Sequence, residues 1–193
     1  MTTNSTFISA IEEHSDVIAK LANNHQSVLD ASDLIIKTFA SGNKLLLCGN
    51  GGSAADSQHI AAEFMVRFEE DRRPLPAIAL TTDTSILTAH TNDFEFSTVF
   101  SRQVQALAQS GDCLIAISTS GNSENIIAAV KQAKARGMSV IGMTGEHGGA
   151  LKELVDINIS APSRVTARVQ EVHILVAHWW CGQADKAAKG QLL

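Results

Sequence analysis

The sequence predicts an α/β protein in which a parallel sheet is covered by helices on both faces. Three observations carry that prediction. From Lys44 onward short apolar runs recur, helical stretches of ten to twenty residues separate them, and each run hands over to a cluster of Gly, Ser, Thr or Asn. Parallel strands are covered on both sides, so they read as continuous apolar runs rather than alternating ones.

Taken in order, residues 5–40 place Ile8, Ile11, Val17, Ile18 and Leu21, then Val28, Leu29, Leu34, Ile35 and Phe39, near helical spacing. This predicts two helices meeting around Asn23–Gln26, with Gly42 stopping the second. The strands follow as KLLLCG from Lys44, PAIAL from Pro76, CLIAIS from Cys113, SVIGMTG from Ser139 and DINISAP from Asp156. Helices are expected over 53–68, 97–109 and 123–136, with a short one near 149–154 and a last one over about 165–187. Prolines occur only at 74, 76 and 162, and no low-complexity linker divides the chain, so residues 1–193 read as one domain.

Composition narrows the function. The net charge of −5 and scattered basic residues, with Arg72-Arg73 the one adjacent pair, argue against a nucleic-acid groove. Purely apolar runs are short, Ile174–Ala177 among them, so no membrane span is expected. Met1 is followed by TTNSTF, with neither a basic nor an apolar leader region, and no signal peptide is read there. Cys48, Cys113 and Cys181 are odd in number, far apart and set in apolar contexts. They suit a reduced, cytoplasmic protein rather than a zinc–thiolate site.

Two loops offer anion chemistry. Gly49-Asn50-Gly51-Gly52-Ser53 follows one strand, and its glycines let backbone N–H groups approach a ligand at a helix N-terminus. Ser118-Thr119-Ser120-Gly121-Asn122-Ser123 follows another and brings four hydroxyls, with Ser123 a natural N-cap. Hydroxyl and backbone donors can satisfy a phosphate monoester without a cation. The competing reading of either loop is a plain turn with helix caps. The spacing is neither G-x-G-x-x-G nor G-x-x-x-x-G-K-[ST], which disfavours dinucleotide binding and nucleotide hydrolysis.

Two helical segments carry acid/base and ligand groups. GNGGSAADSQHIAAEF sets His59 and Glu63 four residues apart on one helix face, among apolar neighbours. ARVQEVHILVAHWW sets Gln170 and His178 about 80° apart around an ideal helix. Two imidazoles, a carboxylate and an amide carbonyl would suit Zn²⁺ or a similar divalent ion, although a surface i,i+4 pair is the ordinary alternative for His59 and Glu63.

These segments, together with the Asn92-Asp93 step and ISTSGNS, resemble the sedoheptulose 7-phosphate isomerases, or phosphoheptose isomerases, of the sugar-isomerase (SIS) domain class. The resemblance spans residues 5–185. ISTSGNS alone points only to the SIS class; His59 and Glu63 with Gln170 and His178 point to the isomerases. It implies a flavodoxin-like three-layer α/β sandwich with N-terminal helices, assembled as a homotetramer with active sites at subunit interfaces. It further implies Glu63 and His178 as catalytic base and acid, and His59, Glu63, Gln170 and His178 as ligands of one Zn²⁺ per subunit. Substrate contacts would fall on Asn50, Gly51, Gly52, Glu63, Asn92, Asp93 and Gln170, with Ser118, Thr119, Ser120 and Ser123 on the phosphate. The implied reaction converts sedoheptulose 7-phosphate to D-glycero-D-manno-heptose 7-phosphate, a precursor of lipopolysaccharide heptose. A rival expectation comes from a non-catalytic branch of the same class, an adaptor of the replication initiator DnaA. RFEEDRRPLPAIALTTD resembles both, but the adaptor branch lacks the catalytic Glu and second His that this chain keeps.

Overall fold

The computed structural model describes residues 6–190. The first residue of the predicted 5–40 segment and the leader-free reading of residues 1–5 lie outside the described residues. Helices α1 (Phe7–Leu21) and α2 (His25–Ala40) are joined by a single 3-10 turn at Ala22–Asn24, where the sequence placed the junction. Strand β1 (Leu45–Cys48), helix α3 (Gly52–Met65) and strand β2 (Ala77–Ala79) follow. Next come helices α4 (Thr84–Asp93) and α5 (Val99–Leu107), strand β3 (Cys113–Ser118) and helix α6 (Glu124–Ala135). Strands β4 (Ser139–Thr144) and β5 (Ile157–Ser160) flank a 3-10 turn at Leu151–Glu153, and α7 (Thr166–Lys189) closes the order.

All strand pairs are parallel, in the order β2-β1-β3-β4-β5. This is the flavodoxin-like order, whose ligand crevice lies beyond the carboxyl ends of β1 and β3, where the winding reverses. Alternation along the strands splits the core in two. Leu45, Leu47, Ile115, Ile117, Ile141 and Met143 pack under α2, α3 and α7, whereas Leu46, Cys48, Leu114, Ala116 and Val140 pack under α5 and α6. The result is the three-layer sandwich expected.

One helix escaped the sequence reading. α4 has the sequence TSILTAHTND, in which β-branched and short polar residues of poor helix propensity dominate. It forms because Asp83 caps it, its carboxylate accepting from the Ile86 amide at 2.9 Å.

The aromatic pair on α7 divides. Trp180 is core, its indole N–H donating to the Val28 carbonyl at 3.0 Å, whereas Trp179 is exposed and lines an apolar groove with Ile18, Leu21, Leu29 and Leu175. All three cysteines are free and buried, as expected for Cys48 and Cys113; burial pushes both of those thiols up to about 12.

Candidate active site

The two predicted loops flank the reversal between β1 and β3. The glycine loop leaves β1 into α3, and the serine loop leaves β3 into α6. A reciprocal amide pair joins them: Asn50 Nδ2 donates to Asn125 Oδ1 at 2.9 Å, and Asn125 Nδ2 donates to Asn50 Oδ1 at 2.8 Å. Asn125, buried at the start of α6, was not singled out from sequence.

Ser123 occupies the N-cap position of α6, but its hydroxyl makes no capping bond. It lies 2.9 Å from Ser118 Oγ instead, and Ser120 Oγ accepts from the Asn122 amide at 3.1 Å. Ser123 is thus the N-cap residue the sequence predicts, without the side-chain bond usual at that position. The hydroxyls face one another across the loop, a cluster of neutral donors beside a helix N-terminus. Backbone packing fixes the loop's shape. Gly121 has φ +68°, and a Cβ there would fall 2.0 Å from the Gly148 carbonyl oxygen; Gly149 faces it, its own Cβ position 2.6 Å from the Gly121 carbonyl carbon. The Leu151 amide donates to Gly121 O at 2.9 Å, and the Ala150 amide to Asn122 Oδ1 at 3.0 Å.

The acid/base groups stand where α3 and α7 pack side by side. Glu63 Oε1 lies 3.2 Å from His59 Nε2, as the i,i+4 spacing predicts, with the His59 side chain about half exposed and that of Glu63 more covered. The His178 ring meets the His59 ring at 5.0 Å between centroids, edge to face, and stacks on Phe68 at 5.3 Å. Near the α3 N-terminus, Gln170 rests on Gly52 so closely that a Cβ at Gly52 would lie 2.2 Å from Gln170 Nε2. Thus α3 and α7 run in the same direction, with Gln170 beside Gly52 and His178 beside His59, about 12 Å apart along α7 at 1.5 Å per residue.

One turn before His59, Asp56 is partly buried and its Oδ2 has no partner; burial raises its carboxyl pKa, against the opposing pull of His59. At the other end, Arg72 and Asp185 form an ion pair at 2.8 Å with both side chains 1% exposed. Burial would raise the Asp185 pKa, but the amides of Glu70 and Glu69 and the Arg72 guanidinium hold it below the ordinary range. Phe68, Arg72 and Asp185 were missed from sequence because no spacing rule places the 66–72 segment against α7.

Asn92 and Asp93 stand apart. They end α4, exposed, with Asn92 Nδ2 donating to Asp93 Oδ1 at 2.9 Å. Among the described residues no hydrogen bond or ion pair ties them to His59, Glu63, Gln170 or His178.

The donor chemistry of the α3/α7 groups fits a divalent ion. Two donors of a tetrahedral zinc at 2.0–2.2 Å stand about 3.3 Å apart, close to the separation of His59 Nε2 and Glu63 Oε1. Among the described residues no three His, Cys, Asp or Glu side chains gather in a metal-holding arrangement.

The SIS domain family model matches residues 8–145. Phosphoheptose isomerase of Aliarcobacter butzleri is 53% identical over 182 residues, covering 94% of this chain and 96% of that one. The phosphoheptose isomerase of Campylobacter concisus is 51% identical over 180 residues, covering 93% and 95%. The solved phosphoheptose isomerase of Neisseria gonorrhoeae superposes with a TM-score of 0.90 at 42% identity, covering 96% of this chain and all of that one. With the SIS model matching most of the chain and two of these relatives above 50% identity over more than nine-tenths of it, the chain belongs to the phosphoheptose isomerase family of SIS-domain proteins.

Proposed function

We infer that the protein is an aldose–ketose isomerase that converts sedoheptulose 7-phosphate to D-glycero-D-manno-heptose 7-phosphate. The observation that carries this reading is that His178 on α7 meets His59 on α3, which pairs with Glu63, in a fold that also presents a loop of neutral donors suited to phosphate. The phosphate rests on Ser118, Thr119, Ser120 and Ser123 at the α6 N-terminus, and Asn50, Gly51 and Gly52 border the sugar. Glu63 takes the C1 proton beside the C2 carbonyl, giving an enediolate, and returns it to C2. His178 moves the accompanying proton between the two oxygens. Gln170, held over Gly52, is placed to orient the sugar hydroxyls.

His59, Glu63, Gln170 and His178 would together hold one Zn²⁺ per chain. When bound, such an ion stabilises negative charge on substrate oxygens as a Lewis acid.

The assembly we propose is a homotetramer. The groove beside Trp179 and the exposed Phe7, Ile8 and Ile11 give the N-terminal and C-terminal helices an apolar face for a second copy. A site completed between copies would also give a role to Asn92 and Asp93, which are exposed and apart from the groups on α3 and α7. The product is of the kind used for lipopolysaccharide heptose, and we place the reaction in the cytoplasm, in keeping with three free buried thiols.

Adaptor function is set aside, since Glu63 and His178 are both present and side by side with His59. The test is direct: incubation with sedoheptulose 7-phosphate should yield an aldoheptose phosphate, and a protein that forms none at any metal loading is not this isomerase.

A further inference from the structure

Between α3 and the C-terminal half of α7 lies a buried charged cluster with no direct part in the chemistry above. Arg72 Nε donates to Asp185 Oδ1 at 2.8 Å. Its Nη2 donates to the main-chain carbonyl of Glu63 at 2.8 Å, and its Nη1 to that of Phe64 at 2.8 Å. Asp185 Oδ2 accepts from the amides of Glu69 and Glu70, both at 2.9 Å. One ion pair therefore grips the last turn of the helix carrying Glu63 and the segment carrying Phe68, whose ring stacks on His178. Along α7, His178, Gly182 and Asp185 share one face, and Phe68 lies over Gly182, where a Cβ would meet its ring at 3.9 Å.

A cation at a helix C-terminus satisfies orphaned carbonyls, which is the ordinary use of such an arginine. Ordinary capping does not require burial of both charges. Replacing a buried ion pair with well-packed apolar residues is often neutral for stability, so stability alone gives weak reason to keep one here. What the pair adds is direction. The guanidinium fork and the two-oxygen carboxylate fix several groups at once, and those groups are the peptide of Glu63 and the backing of His178.

We propose that Arg72 and Asp185 form a positioning clamp for the reaction, setting Glu63 through its peptide carbonyl and His178 through Phe68. The proposal rests on the isomerase reading for its effect on turnover, and on geometry alone for its effect on the His178 ring. With the reacting groups displaced by a fraction of an ångström to about 1 Å, turnover should fall on the order of tenfold to a hundredfold. Substrate affinity, carried by the remote serine loop, should change little.

The clamp is tested with Asp185→Asn, which keeps the size and one acceptor, and with Arg72→Lys, which keeps the charge and loses the fork. Each is assayed with sedoheptulose 7-phosphate well below its melting temperature. In parallel, imidazole ring signals are recorded by NMR on ¹³C-histidine protein, with the His178 signal assigned by its loss in His178→Asn. The expected result is a kcat at least about tenfold lower with KM within about twofold. The His178 signal should shift as the Phe68 ring current over it changes, while the signal of His90, on the far face of the sheet, stays fixed. A kcat within about twofold of the parent, a loss that falls equally on KM, or an unmoved His178 signal overturns the clamp. If one variant fails to fold, the other decides. A parent protein without isomerase activity would sink the functional reading instead, and the NMR arm would still decide whether the pair positions His178.

Discussion

The imidazole of His178 lies edge to face against that of His59, 5.0 Å between centroids, although most of the chain runs between them. The contact arises because α7, made after the whole sheet is complete, lies beside the first helix to leave it. His178, the proposed acid, is thereby brought against His59, the partner of the proposed base Glu63. Glu63→Gln and His178→Ala should each reduce turnover on the order of a hundredfold or more, the scale of positioned acid/base catalysis. Steady-state assay of variants with unchanged circular dichroism checks this; near-parent kcat in either removes that residue from the chemistry.

The Ser123 hydroxyl does not cap its helix and is directed at Ser118 instead. If the substrate phosphate lies there, Ser120→Asp and Ser123→Asp should raise KM by about tenfold or more through like-charge repulsion. Turnover at saturation should suffer less. Unchanged KM in both folded variants would move the phosphate to the glycine loop.

Gly52 admits Gln170 by having no side chain. Gly52→Ala would put its methyl 2.2 Å from Gln170 Nε2, the free end of a flexible side chain, so the amide should swing away while the fold persists. We expect kcat/KM to drop by about tenfold, with a stability change within about 1 kcal/mol. Gln170→Ala should have a similar effect, and the double variant should be no worse than either single one. Additive losses would show that the two positions act independently.

His173 is buried on α7, its Nε2–H donating to the Thr144 carbonyl at 3.1 Å and its Nδ1 left without a partner. Burial, opposed only by that bond, lowers its pKa from 6.5 to about 4. The unfolded chain therefore takes up this proton near pH 6.5 and the folded chain only near 4. The stability present above 6.5 is lost progressively as the pH falls, and the loss is complete below about 4. Its size is about 3 kcal/mol. Denaturant titrations should show a shallower acid slope over this window in His173→Gln than in the parent. An identical slope would assign the acid sensitivity to other groups.

In the proposed zinc-loaded homotetramer, chelation should abolish turnover and leave the assembly whole, because apolar helix surface rather than the ion would supply the association energy. Light scattering and metal analysis on one sample measure both. An active monomer would refute the assembly, and full activity in metal-free protein would refute the zinc.

What the sequence made legible follows from the range of each interaction. Strands such as CLIAIS and their loops are local patterns, and so is the four-residue step from His59 to Glu63. Helix α4 was hidden because its cap, Asp83, carries more of the signal than TSILTAHTND does. The Asn50–Asn125 amide pair, the Phe68 ring over His178 and the Arg72–Asp185 pair depend on which elements become neighbours in space. No periodicity encodes that. Gln170 and His178 stood out in the sequence as ligand candidates and took their roles from resemblance, and only the packing of α3 on α7 explains why eight residues of separation is a useful spacing: it matches, nearly residue for residue, the step from Gly52 to His59 and Ile60.

Gly121 and Gly149 press backbone against backbone, each standing where the other's side chain would need room. The proposed anchor for phosphate is therefore shared between two segments, and neither can be rewritten alone. A library that varies residues 118–123 one at a time will lose the loop at Gly121 whatever residue is offered. Selection for new sugars would have an easier route at the proposed Glu63, Gln170 and His178, whose side chains can be exchanged one at a time. Over evolutionary time the handle of the substrate would stay fixed while its carbon skeleton is free to drift.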